Sequence, residues 1–177
     1  MSLVLQPTDF TGVFVVDNDP IRDDRGYFVR TFCTTELAAR GLESRFVQHS
    51  MSYTARKGTL RGLHFQRPPH DEIKLVRCLR GAIYDVIVDL RPQSPSFKRW
   101  LSFDLSHANR SQLYVPKGFA HGFQALTDDV EVNYMISAEY EPAAAGGVRY
   151  DDAAFGIAWP LSVTAISDKD RGWPDFR

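Results

Sequence analysis

Two histidines stand where an imidazole could do chemistry. His64 follows Arg61, Gly62 and Leu63 inside an apolar run, and His121 closes the stretch Val115-Pro116-Lys117-Gly118-Phe119-Ala120. A lone strand histidine more often completes a core or lies on a surface than catalyses, so its neighbours decide its reading. Arg61 stands three residues before His64, and Lys74 begins the next apolar stretch. Cationic groups gathered beside an apolar interior are costly unless an anion binds among them. The grouping points to an anionic ligand, such as a phosphate or an enolate, beside an imidazole able to move a proton near neutral pH.

A metal site is the main competitor. His64, His70, Glu72 and His121 are ligand types that a first-row metal accepts. Their spacing is poor for it. Two histidines point the same way from one strand when a single residue separates them. Here five residues separate His64 from His70, and Pro68-Pro69 between them marks a turn. No metal is expected. Nucleophilic catalysis is weaker still. There is no Gly-x-Ser-x-Gly elbow, and Cys33 and Cys78 lack activating surroundings and metal or redox spacing. No glycine-rich phosphate loop opens a helix. The charged run Ser167-Asp168-Lys169-Asp170-Arg171 reads either as a solvated tail or as an acid that reaches back to orient a histidine. A carboxylate on one imidazole nitrogen fixes the tautomer and strengthens the other nitrogen as a base.

Short strands must carry these residues. The expected ones are 13–16, 27–32, 45–53, 60–66, 74–79, 82–90, 100–105, 112–115, 122–126 and 130–138, separated by Gly, Pro and Asp turns. That pattern indicates an all-β sandwich or barrel, not a parallel α/β sheet. Alternation in 130–137 sets Val132, Tyr134 and Ile136 on one face, expected inward, and Glu131 and Asn133 on the other. In 82–90, Tyr84, Val86, Val88 and Leu90 share one face, while Asp85 and Asp89 stand beside Ile83 and Ile87 on the other. Both faces of that strand should be covered, as in a double-layered barrel. One helix is expected near 35–40, capped by Thr34 or Thr35 and stopped at Gly41, a surface connector by its simplest reading. Cys78 falls in an apolar alternation and should pack.

The 177 residues suit one domain, with 44% apolar and 24% charged side chains. A net charge of -1 makes a nucleic-acid partner unexpected. No apolar run could span a membrane, and Met1 to Phe10 lacks the basic-then-apolar order of a signal peptide, so a cytoplasmic protein is expected.

Several motifs together resemble one family. They are Thr59-Leu60-Arg61-Gly62-Leu63-His64-Phe65-Gln66, Lys74-Leu75-Val76-Arg77, Val115 through Phe123, Arg149-Tyr150-Asp151-Asp152 through Ile157-Ala158-Trp159-Pro160, and Ser167-Asp168-Lys169-Asp170. In that order, across roughly residues 12–170, they resemble the dTDP-4-dehydrorhamnose 3,5-epimerases. The resemblance implies a cupin-type jelly roll, with a barrel core over about 45–140 and the terminal segments packed on it. It also implies a homodimer working without metal or other cofactor on a nucleotide-linked 4-keto-6-deoxyhexose.

The resemblance further implies residue roles. His64 would be the general base, oriented by Asp170. Tyr134 would be the acid on the opposite sugar face, and Lys74 would hold the enolate oxygen. Arg61 and His121 would line the sugar and phosphate region. Arg25, Phe28 and Gln48 would hold the nucleotide, with Tyr140 near its base. The chemistry suits these side chains. A ketone at C4 acidifies the C3 and C5 protons, an imidazole removes one, and a fixed ammonium stabilises the resulting enolate.

Two features depart from a simple picture. Arg61 and His64 are an odd number of positions apart and would face opposite ways on a regular strand, unless Gly62 allows a bulge. Arg30, Ser50 and Glu72-Ile73 stand where family members often have Glu, Asn and Gln-Gly. These changes leave the nucleotide open and leave a 3-epimerase or ketoisomerase as the alternative.

Overall fold

The computed structural model describes residues 2–177. The strands follow one another as β1 (Leu3–Pro7), β2 (Phe14–Asn18), β3 (Ile21–Asp23) and β4 (Gly26–Phe28). A short helix α1 (Thr34–Ala38) leads to β5 (Gln48–Thr54), β6 (Leu60–Gln66), β7 (Lys74–Arg80) and β8 (Ala82–Asp89). Then come β9 (Trp100–Ser106), β10 (Gln112–Val115), β11 (Phe119–Ala125), β12 (Val130–Ile136), β13 (Ala145–Gly147) and the helix α2 (Asp168–Arg171).

Two antiparallel sheets face each other. One runs β1-β2-β10-β7-β12-β5 and the other β13-β6-β11-β8-β9, while β3 and β4 form a separate hairpin. This is the all-β jelly roll of the cupin type. Consecutive strands from β7 to β12 alternate between sheets or pair by hairpin, so the layers close around one core. Val76, Cys78, Ile83, Ile87, Phe123 and Val132 are among the side chains that fill the space between them. The outer face of the five-stranded sheet is also covered. Leu63, Val86, Val88 and Ala120 pack there against Val148, Phe155 and Trp159 of the C-terminal segment. Strand β8 is thus buried on both faces, as its alternation requires.

Some local expectations need correction. Helix α1 starts a residue earlier, at Thr34, with Cys33 in the N-cap position and no side-chain cap bond, so neither threonine caps it. Nor is it only a surface connector: Leu37 is buried against Leu3, Val16 and Tyr114, and Glu36 accepts the Leu3 N–H at 2.7 Å. The stretch 27–32 is strand only to Phe28, because β3 is too short to pair with the rest. Strand β11 begins at Phe119, three residues before the expected 122, directly after the turn at Gly118. Strands β1, β3 and β13 and helix α2 carry too little pattern in their few residues to be read from sequence.

The feature that positions the site is a bulge in β6. His64 pairs with His121, but Arg61 pairs with Phe123. Three steps on β6 therefore match two on β11, and the odd-numbered offset between Arg61 and His64 is cancelled. Gly62 makes this fit. It has φ +125°, and a Cβ there would lie 2.6 Å from Gly122 Cα. Only glycine tolerates both the conformation and the contact.

Candidate active site

A cavity of about 630 Å³ is lined by strands of both sheets. Strand β6 gives it Arg61 and His64, β7 gives Lys74, β11 gives His121, β12 gives Tyr134, and α2 gives Asp170. Gln48 and Tyr140 also line it. Eight of the ten residues singled out from sequence therefore meet in one place. Arg25 and Phe28 do not. They lie on the exposed β3–β4 hairpin, where Arg25 pairs with Asp23 and Phe28 borders a different depression beside Arg77. Within one chain they do not reach the cavity that Gln48 lines.

His64 Nε2 lies 2.6 Å from Asp170 Oδ1. Asp170 is buried, whereas 44% of the His64 side chain is exposed, so the imidazole faces the open cavity with its acid behind it. The acid is held by a local device. Ser167 caps α2, its hydroxyl accepting the Asp170 N–H at 3.1 Å, and the Gly62 N–H donates to Asp170 Oδ2 at 3.1 Å. The C-terminal charged run is thus not a solvated tail at Asp170. Burial alone would raise this carboxyl. The His64 hydrogen bond and charge, the Gly62 amide and the Ser167 hydroxyl outweigh that and hold it below the usual carboxylate range. Nδ1 of His64 has no hydrogen-bond partner among the described residues.

Tyr134 lines the same cavity from the inward face of β12. Burial raises its phenol well above the ordinary value, offset only partly by the Ser52 hydroxyl at 3.2 Å and by Arg61. It therefore carries its proton at neutral pH. Its ring meets His121 edge-on, with centroids 6.2 Å apart. Lys74 Nζ donates to the His64 carbonyl at 3.3 Å and pairs with Glu72 Oε1 at 3.0 Å. Arg61 is fixed by bonds to Thr54 Oγ1 and the Tyr53 carbonyl, at 2.9 and 2.8 Å.

Sequence reasoning missed three contributors. Asp85, fully buried, lies 2.8 Å from His121 Nε2 and forms a second carboxylate–imidazole pair. An acid on the same strand face as Ile83 and Ile87 was the available signal. Ser52 and Lys169 also line the cavity; the charged run around Lys169 was the signal for one, and nothing in its local sequence marks the other. Among the described residues, no group of three or more His, Cys, Asp or Glu could hold a metal ion. The Nε2 atoms of His64 and His121 are turned to Asp170 and Asp85.

The arrangement sets an imidazole–carboxylate pair and a protonated phenol around one space, with an ammonium and a guanidinium for anionic groups. That is equipment for removing a proton from one face of a ligand and returning one to the other. The comparisons agree with it. A family model described as dTDP-4-dehydrorhamnose 3,5-epimerase matches residues 7–177. A curated enzyme of that name from Methanothermobacter thermautotrophicus is 44% identical over 173 residues, 96% of this chain and 92% of its own. The crystal structure of the Bacillus anthracis enzyme with TDP and PPi bound has a TM-score of 0.95 at 42% identity, covering 99% of this chain and 100% of that one. ChmJ, a 3'-monoepimerase from Streptomyces bikiniensis solved with dTDP-quinovose, has a TM-score of 0.88 at 31% identity, covering 96% and 86%. With a full-length family match and this cavity, the chain belongs to the dTDP-4-dehydrorhamnose 3,5-epimerase family.

Proposed function

We propose that this chain inverts C3 and C5 of a nucleotide-linked 4-keto-6-deoxyhexose, of the dTDP-4-dehydro-6-deoxyglucose type. The observation that carries the reading is the pairing of His64 with Asp170 in the cavity that Tyr134 also lines. His64 Nδ1 takes the proton from the carbon beside the ketone. The electron pair moves onto the C4 oxygen, where the remaining Lys74 N–H meets it. Tyr134 then gives its phenolic proton to the opposite face of the carbon, and the configuration inverts. No electrons are gained or lost overall, so no redox cofactor enters the balance. General-base catalysis of this kind contributes ~10²–10⁴-fold.

Arg61 and His121 serve the sugar and phosphate side, and Gln48 and Tyr140 the nucleotide. In a homodimer, Arg25 and Phe28 of a second copy hold the nucleotide. A cytoplasmic location and the absence of nucleic-acid or membrane partners complete the reading. The likeness to the 3'-monoepimerase ChmJ favours inversion at C3 alone as the second reading.

The test is proton exchange in D₂O followed by NMR on dTDP-4-keto-6-deoxyglucose. Deuterium should enter C3 and C5 with the native chain and at neither position with His64→Ala. Entry at C3 only supports the second reading. Undiminished exchange in the variant removes His64 from its role.

A further inference from the structure

The ammonium of Lys74 is held by two acceptors, the His64 carbonyl at 3.3 Å and Glu72 Oε1 at 3.0 Å. An ammonium has three N–H donors, so one is left for a ligand. Glu72 lines the same cavity, and its side chain, like that of Lys74, is 11% exposed. An ionised carboxylate offers about four acceptor sites, and Lys74 occupies one.

A carboxylate is a poor neighbour for a group that only stabilises an enolate. It cancels part of the positive charge on which that stabilisation depends. The pair makes better sense as a matched donor and acceptor. In a 1,2-hydroxyketone, the two oxygens on adjacent carbons are separated by about the length of a hydrogen bond, as Lys74 Nζ and Glu72 Oε1 are. The ketone oxygen accepts from Lys74 while the neighbouring hydroxyl donates to Glu72 Oε1, which keeps a second acceptor site beside its Lys74 contact. On a 4-keto-6-deoxyhexose that hydroxyl must be on C3, because C5 carries the ring oxygen, a methyl group and a hydrogen but no hydroxyl.

The geometry points to Glu72 as a specificity-determining residue that reads the C3 hydroxyl beside the reacting ketone. The inference rests on the epimerase reading above and adds substrate selection to it. A site built to pair a hydroxyl rejects the analogue that lacks it, because the buried acceptor is left unmatched.

The experiment compares deuterium exchange at C5, which a 3-hydroxy and a 3-deoxy form of the dTDP-4-keto-6-deoxy sugar can both undergo. Native enzyme should favour the 3-hydroxy form by about 10- to 100-fold in kcat/KM, the worth of one charged hydrogen bond. With Glu72→Ala the preference should vanish, the 3-hydroxy rate falling toward the 3-deoxy rate. Glu72→Gln, which still accepts a hydrogen bond, should keep part of it. Equal losses on both sugars in Glu72→Ala, with the preference intact, would mean that Glu72 only holds Lys74 and would overturn the inference. So would a native enzyme without any preference. Exchange of neither sugar by native enzyme would instead bring down the epimerase reading itself.

Discussion

His64 and Asp170 are 106 positions apart in the chain, yet their side chains meet at 2.6 Å. A bulged strand in the middle of the sequence and a four-residue helix near its end thereby form one proton-handling unit. The carboxylate is buried and the imidazole is open to the cavity, so the pair is oriented toward a ligand.

Replacing Asp170 by Asn should therefore separate orientation from basicity. The amide keeps the shape and the capping of α2 but loses the charge that favours the imidazolium. We expect kcat to fall by ~10²–10⁴-fold with KM little changed, since the loss is felt only as His64 gains its proton. Steady-state epimerisation measured at several pH values checks this. A purely structural role would instead lower the melting temperature and leave the pH profile unmoved.

Gly62→Ala tests the bulge. The added methyl group meets the Gly122 backbone and strains a φ of +125°. Overpacking with backbone strain of this kind costs roughly 1–3 kcal/mol. Urea titration should show that loss, and activity should fall with it, because Arg61 and His64 face one cavity only through this bulge.

Asp89 governs acid stability rather than chemistry. It lies fully buried at the end of β8, and burial alone would raise its carboxyl. Hydrogen bonds from Arg91, Ser94 and Ser96 more than offset this and lower it to about 2. A carboxyl depressed in the folded state stabilises above its ordinary value near 3.8, and that contribution is lost as pH falls toward 2. The shift corresponds to about 2 kcal/mol. Asp89→Asn should be destabilised by that order at pH 7, and the two proteins should converge in stability between about pH 4 and pH 2.

The sequence reveals some of this plainly and hides the rest for physical reasons. Period-two alternation gives the inward placement of Tyr134 and the double burial of β8, because side chains on a strand must alternate. The motif order carries the resemblance, and with it the pairing of His64 with Asp170. Composition alone leaves the C-terminal run ambiguous between a solvated tail and an acid that reaches back to a histidine, because the contact that decides it spans 106 positions. The Asp85–His121 pair joins two strands by register, and register is set by partners that no single stretch displays. Cys78 packs as its alternation suggests, and burial lifts its thiol to about 11, consistent with an inert core residue.

The proposed inversion depends on a division of labour between His64 and Tyr134. The decisive measurement is Tyr134→Phe in D₂O, with NMR reading both deuterium content and configuration at C3 and C5. The predicted result is continued deuterium entry with little inversion, because His64 still forms the enolate and returns a proton to the face it came from. Undiminished inversion without the phenol would contradict it.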